Sequence, residues 1–78
     1  MKLIINARPE NFASLSVVNG QDIIASYSVS GIEIEKTIDK IFDERYIEAV
    51  QVTGPRSYTQ KFINYITLSH PRVEVLGW

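Results

Sequence analysis

The sequence predicts one small α/β domain, spanning residues 1–78, built on a mixed five-stranded sheet. Short apolar runs of strand length, two stretches with helical spacing and their order β-β-β-α-β-α-β carry this prediction. The composition, 45% apolar and 22% charged, is typical of globular proteins. Strand–helix–strand units require parallel strands with right-handed crossovers, whereas a hairpin adds antiparallel strands at one edge. The predicted sheet order is therefore 3-2-1-4-5, with the helices packed on it in two or three layers.

The first strand is predicted over residues 2–7, and it contains the apolar run Leu3-Ile4-Ile5. Such a run is typical of a strand that is buried on both faces. We therefore expect Ile4 to be almost fully buried, together with Val50 and Val52 of the neighbouring strand. The turn that follows contains Pro9, which has no backbone N–H and ends the strand.

A hairpin supplies the second and third strands. Residues 12–18 alternate between two faces, and residues 22–29 form the returning strand. Between them lies Asn19-Gly20, which tolerates the positive φ angles of a type I′ turn and is a strong hairpin signal. The returning strand is expected at a sheet edge, where its unpaired N–H and C=O groups can template a second chain.

The two helices are predicted from capping boxes and apolar spacing. Ser30 and Glu33 have the S-x-x-E spacing of a capping box, which predicts a helix over about 32–44. A strand over 46–53 follows and ends at Gly54-Pro55. A second S-x-x-Q box from Ser57 to Gln60 predicts a helix over about 58–68. The last strand is expected over 73–76.

Composition excludes several classes of protein. The chain has no cysteine, which rules out disulfide scaffolds, thiolate metal sites and a cysteine nucleophile. Eight basic and nine acidic side chains give a net charge of −1, too balanced for a general nucleic-acid coat or a membrane-surface binder. No apolar window approaches the ~18 residues of a membrane span, and no secretory signal is visible. We therefore expect a cytoplasmic protein with no membrane association.

The loop that enters the second helix is the most suggestive stretch for ligand binding. Thr53, Gly54, Arg56 and Ser57 lie between the end of a strand and a helix N-terminus, where free N–H groups and the helix dipole favour an anion. Arg8 ends the neighbouring strand and is expected to approach the same loop. Ordinary turn and capping chemistry explains these residues as well, since the stretch matches neither a P-loop nor a dinucleotide fingerprint.

Residues for catalysis or metal binding are sparse. His70 is the only histidine, and at a predicted helix end it is expected to contact terminal carbonyls or solvent. Asp39, Asp43 and Glu44 lie on the first helix beside lysines, a spacing typical of a solvated surface. We therefore expect no metal site, no catalytic residues and no cofactor.

Three residues are predicted to lie near an intermolecular contact: Tyr27 and Ser28 on the edge strand, and Trp78 at the last position. Tyrosine and tryptophan are common interface anchors. A core this small is thin and has no disulfide or metal to stabilise it, so self-association or binding to a partner is expected.

The order of elements resembles the ribonuclease H-like superfamily, which includes RuvC-type resolvases and actin-like half-domains. The resemblance covers most of the chain as a pattern, beginning with residues 3–8 and the hairpin of residues 12–20. The family's first strand carries an essential metal-binding aspartate where this chain has Asn6. Its next acid falls near Gln51, Val52 and Thr53. Two-metal phosphodiester chemistry needs several convergent carboxylates, so the resemblance implies a fold without nuclease activity.

The function predicted from these observations is that of a non-enzymatic protein-interaction module that self-associates, of the kind common among accessory and phage-encoded proteins. Its expected partners are another protein and a second copy of itself. The alternative is a module that binds a phosphate-containing ligand or nucleic acid through Arg8 and the loop 53–57, although nucleic acid is the less favoured partner.

Overall fold

Five strands and two helices follow one another in the predicted order. The computed structural model describes residues 1–76. Its strands are β1 (Lys2–Arg8), β2 (Phe12–Asn19), β3 (Asp22–Ser30), β4 (Ala49–Thr53) and β5 (Glu74–Leu76), and its helices are α1 (Glu33–Glu44) and α2 (Arg56–Ser69). The chain is therefore an α/β domain over the part that the structure describes. Neither helix is both long enough and apolar enough to cross a membrane.

The sheet has the order β3-β2-β1-β4-β5, as predicted. The central strand β1 pairs antiparallel with β2 and parallel with β4, so that Leu3 lies opposite Val17 on one side and Val50 on the other. β2 pairs antiparallel with β3, and β4 pairs parallel with β5. The hairpin strands thus form one antiparallel half of the sheet, and the strand–helix–strand units form the parallel half.

Both helices cover the same face of the sheet, which makes the domain two-layered. The registers place alternate residues of all five strands on this covered face, and these residues form the core together with the apolar stripes of the helices. α1 packs over β2 and β3, whereas α2 packs over β1, β4 and β5. The fully buried large side chains of the core are Leu3, Ile5, Leu15, Val17, Ile34, Ile38, Ile41, Val50, Val52 and Ile66.

The expectation that β1 is buried on both faces was wrong. Val50 and Val52 are fully buried, as predicted, but Ile4 is only half-buried. Ile4 lies between Leu3 and Ile5, whose side chains both point to the covered face, so its own side chain points away from the helices. An apolar run of three residues therefore contributes only two side chains to the core.

Neither predicted capping box forms. α1 begins after Ile32 and α2 begins after Pro55, and neither residue makes a side-chain capping hydrogen bond. Ser30 is still part of β3, where it pairs with Phe12. Ser57 lies inside the first turn of α2 rather than before it. The S-x-x-E pattern fails because Ser30 belongs to β3, and the S-x-x-Q pattern fails because α2 already begins after Pro55.

The predicted hairpin forms with a different turn from the one expected. Asn19 pairs with Asp22, so the loop residues are Gly20 and Gln21, and only Gly20 has a positive φ (67°). A glycine with positive φ at the first loop position is typical of a type II′ turn. The β1–β2 turn instead places two non-glycine residues in the left-handed region, Glu10 (φ 63°) and Asn11 (φ 56°).

Candidate functional site

The sheet has a second face that no helix covers, and we refer to it as the uncovered face. On β2, β1 and β4 it is formed by Phe12, Ser14, Ser16, Val18, Lys2, Ile4, Asn6, Arg8, Ala49, Gln51 and Thr53. All of these side chains are half-buried or exposed. On these three strands they include two cations and no carboxylate, whereas Glu74 of β5 pairs with Ala49 and adds one carboxylate to the same face. The face is therefore polar and weakly basic, with apolar side chains between small hydroxyl-bearing ones.

β3 lies at the edge of the sheet, as predicted, and two of the expected interface residues lie on it. Tyr27 is paired with Leu15, and its half-buried side chain packs against the core on the covered face. Ser28 is paired with Ser14, so it is exposed on the uncovered face. The third predicted interface residue, Trp78, lies outside the described residues.

The predicted anion-site residues come from neighbouring strand ends. Asn6 of β1 pairs with Thr53 of β4, and both strands run in the same direction. Arg8 and Arg56 therefore follow the carboxyl ends of adjacent parallel strands at the same edge of the sheet, and both are exposed. In α/β sheets this edge is where ligands usually bind.

Gly54 brings the loop unusually close to β1. A Cβ atom added to Gly54 would lie 2.6 Å from the carbonyl oxygen of Ala7, and the φ angle of Gly54 is 124°. Side chains do not fit at such a distance, and L-residues rarely adopt this φ. The glycine therefore allows the backbone of the loop to pack directly on the end of β1, beside Arg8.

The N-terminus of α2 has its first backbone N–H groups free of intrahelical partners. The N–H groups of Tyr58 and Thr59 both donate to the carbonyl oxygen of Pro55, at 2.9 and 3.1 Å. Those of Arg56 and Ser57 precede the first helical hydrogen bond. Arg8, Gly54, Arg56 and Ser57 thus all lie at the edge where β1 and β4 end, although Arg8 belongs to the uncovered face and Arg56 begins a helix on the covered face.

The hydroxyl group of Thr53, another predicted ligand-binding residue, makes contacts within the sheet. It contacts the side-chain oxygen of Asn6 and lies 3.4 Å from the carbonyl oxygen of Ile5. In residues 1–76 no group of three or more histidine or carboxylate side chains is arranged to hold a metal ion.

One polar cluster, formed by Asp39, Tyr65 and His70, was not predicted from the sequence. The carboxylate of Asp39 on α1 accepts a hydrogen bond from the Tyr65 hydroxyl at 2.7 Å and lies 3.0 Å from Nε2 of His70. The His70 ring also stacks on Phe42, with 3.9 Å between ring centroids and 7° between planes. His70 therefore contacts a carboxylate and an aromatic ring, and not only the helix-terminal carbonyls or solvent as expected. The cluster joins the middle of α1 to the C-terminal end of α2, and its two hydrogen-bonded contacts join residues 26 and 31 positions apart in sequence.

The pKa of Tyr65 is raised above its ordinary value of 10.0, mainly because burial disfavours the phenolate and also because the hydroxyl donates to Asp39. A raised pKa in the folded state means that the unfolded chain loses this proton first as pH increases. Tyr65 therefore contributes fully to stability below pH 10, and this contribution falls as pH rises above 10.

We expect Tyr65→Phe to remove this alkaline sensitivity. The variant loses the hydrogen bond to Asp39 at neutral pH, which costs about 1 kcal/mol. Urea denaturation at pH 8 and pH 11 measures both effects. The difference in unfolding free energy between wild type and Tyr65→Phe should shrink at pH 11. An unchanged difference would contradict the assigned contact, and Tyr46→Phe, at a largely exposed position, serves as the control.

Comparison with known proteins adds no functional assignment. No family model matches this sequence, and no curated protein matches it. The candidate surfaces therefore rest on the residues themselves: the uncovered face, the free edge of β3, and the edge that carries Arg8 and Arg56.

Proposed function

We propose that the protein is a non-enzymatic protein-interaction module that self-associates through its sheet. The observation that carries this proposal is the uncovered face. Parallel strands are normally buried on both faces, yet β1, β4 and β5 have helices on one face only. Ile4, Val18 and Phe12 contribute apolar surface there that a binding partner would remove from water.

The dimensions of this face suit a protein partner. Strands about 4.8 Å apart with a rise of about 3.3 Å per residue give five strands a flat area on the order of 500 Å². A standard interface buries about 800 Å² of accessible surface on each partner. The uncovered face therefore supplies more than half of that area, and the adjoining edge of β3 adds to it.

The ribonuclease H-like resemblance supports a catalytically inactive role within this proposal. The sheet order 3-2-1-4-5 fits the resemblance, whereas Asn6 and Thr53 are neutral and contact each other rather than presenting carboxylates. Such residues cannot hold a pair of divalent ions. An accessory role of the kind found among phage-encoded proteins, in the cytoplasm, completes the proposal.

Self-association is tested by measuring solution mass over a wide range of protein concentration. The monomer has a mass of 8.9 kDa. We expect sedimentation equilibrium to give a mass that rises toward an integral multiple of this value between micromolar and millimolar concentrations. A mass of 8.9 kDa throughout that range would contradict self-association. A pull-down with the tagged chain then identifies any other protein partner.

A second candidate function is the binding of a phosphate-containing ligand at the edge that carries Arg8 and Arg56. The favouring observation is that these two exposed residues lie at the carboxyl ends of adjacent parallel strands, at the edge where the N-terminus of α2 begins. In addition, residues 49–73 contain no acidic side chain. Guanidinium groups and free helix N–H groups are both suited to phosphate oxygens.

The double substitution Arg8→Ala with Arg56→Ala tests this second function. We expect inorganic phosphate to shift the amide resonances of Gly54 and of residues 56–58 in wild type, with an effect that weakens as salt increases. The double variant should lose these shifts while its fold persists, because both side chains are exposed. Arg72→Ala, also at an exposed position, is the matched control. Equal shifts in the double variant would exclude this edge as a phosphate site.

A further inference from the structure

The two edge strands of the sheet differ sharply in how well they are protected from pairing with another chain. Within residues 1–76, β5 comprises three residues and includes the charged Glu74. β3 has nine residues, and its only charged residue is Asp22 at the first position. Proteins usually protect long edge strands with lysine, proline, charge or a covering element. Between Ile23 and Ser30, β3 has no charged residue and no proline.

The hydrogen-bond ladder identifies which backbone groups of β3 point to the free edge. The N–H of Gly31 donates to the carbonyl oxygen of Asn11 at 3.0 Å. In an antiparallel ladder the direction of the backbone groups alternates from residue to residue. Val29, Tyr27 and Ala25 therefore direct their N–H and C=O groups toward β2. The corresponding groups of Ser26, Ser28 and Ser30 point outward.

Exposed apolar side chains flank both ends of this edge. Ile23 and Ile24 lie at the start of β3 and are 67% and 42% exposed, and Ile32 lies just beyond its end and is 73% exposed. A twofold axis through the middle of β3 would bring the start of one strand beside the end of the other. The isoleucines at the two ends would then meet across the axis, so the edge is self-complementary for an antiparallel partner.

We infer that β3 pairs antiparallel with β3 of a second copy of this chain, forming a continuous ten-stranded sheet across a twofold axis. This inference rests on the proposed function and specifies its partner and contact. The twofold axis can pass beside Tyr27 or beside Ser28. In both registers the outward N–H and C=O groups of the two strands face each other. In either register the uncovered faces of the two copies join into one surface.

Ser28→Pro tests the pairing without disturbing the ladder to β2. Its N–H points outward, so proline removes a hydrogen bond to the second copy and none within the sheet, and proline is tolerated at such edge positions. We expect the dimer dissociation constant to rise on the order of a hundredfold, because each of the two copies loses one backbone hydrogen bond and the proline ring crowds the facing strand. Ser28→Ala, which keeps the N–H, is the matched control and should remain dimeric.

The outcomes separate this inference from the proposed function. A dimeric wild type with a folded, monomeric Ser28→Pro variant supports the pairing. If both are equally dimeric, the β3 contact is wrong, and self-association through another surface stands. A wild type that is monomeric up to millimolar concentration overturns both.

Chemical cross-linking tests the pairing of β3 with β3 of a second copy even if Ser28→Pro fails to fold. The chain contains no cysteine, so a single introduced thiol reacts alone. Ser28→Cys should form a covalent dimer with a short bismaleimide, because paired strands bring opposite or diagonal side chains within about 8 Å. Thr67→Cys, exposed on α2, should not. Cross-linking of the Thr67→Cys variant alone would overturn the pairing.

Discussion

Gly54→Ala is expected to destabilise the fold by about 2–4 kcal/mol, one of the largest effects of any single methyl group added to this chain. The added Cβ would lie 2.6 Å from the carbonyl oxygen of Ala7, so the loop or the end of β1 must move. The φ angle of 124° is also unfavourable for alanine. Because the neighbouring atom is backbone rather than a flexible side chain, local relaxation cannot easily relieve the contact.

Gly20→Ala provides the matched control. Gly20 also has a positive φ, 67°, but an added Cβ would have no atom within 4 Å. Gly20→Ala should therefore lower the free energy of unfolding by only about 1 kcal/mol, the conformational penalty of a positive φ. Urea denaturation of the two variants measures the difference. Equal losses of stability would show that the Gly54 loop does not pack on Ala7 as described.

A second large effect is expected for Ile5→Ala, which should cost about 3–4 kcal/mol, compared with less than about 1.5 kcal/mol for Ile4→Ala. Ile5 is fully buried between the sheet and the helices, so truncation leaves a cavity in addition to the lost burial. Ile4 is its neighbour in the same strand, with the same side chain, but points to the uncovered face. The comparison of the two variants therefore isolates how much burial under the helices contributes to stability.

Chemical denaturation of both variants at low protein concentration tests this arrangement, because association could otherwise add stability through Ile4. Similar losses for Ile4→Ala and Ile5→Ala would contradict a sheet covered on one face. At high concentration the Ile4→Ala variant offers a further readout. A loss of self-association without a loss of monomer stability would locate the contact on the uncovered face.

The sheet order was predictable because it depends on signals that are local in sequence. The hairpin around Gly20 and the alternation of strands with helices leave few topologies that satisfy right-handed crossovers. The same topology places Arg8 and Arg56 at one edge, since it makes their strands adjacent and parallel. In contrast, the number of layers depends on which face of the sheet each helix covers. The apolar run around Ile4 predicted a strand buried on both faces, which was wrong.

The remaining errors concern contacts between residues distant in sequence. Nothing local to Asp39 indicates that it accepts a hydrogen bond from Tyr65 and contacts His70, because that contact depends on how two helices lie on the sheet. Likewise, nothing local to Thr53, a predicted ligand-binding residue, indicates that its hydroxyl group contacts Asn6 across the β1–β4 pairing. The capping boxes failed for a similar reason, since pairing with Phe12 keeps Ser30 within its strand.

The connectivity of the sheet also has a consequence for the order of folding. The β1–β2 and β2–β3 pairings close short turns, whereas β1 and β4 pair residues about 47 positions apart, such as Lys2 with Ala49. Local contacts cost less chain entropy to form, so we expect the three-stranded antiparallel half to be structured early in the folding transition state. The free edge of β3 would then be available before β4 and β5 are in place. Refolding at high protein concentration should consequently favour association through this edge, with yields that fall as concentration rises.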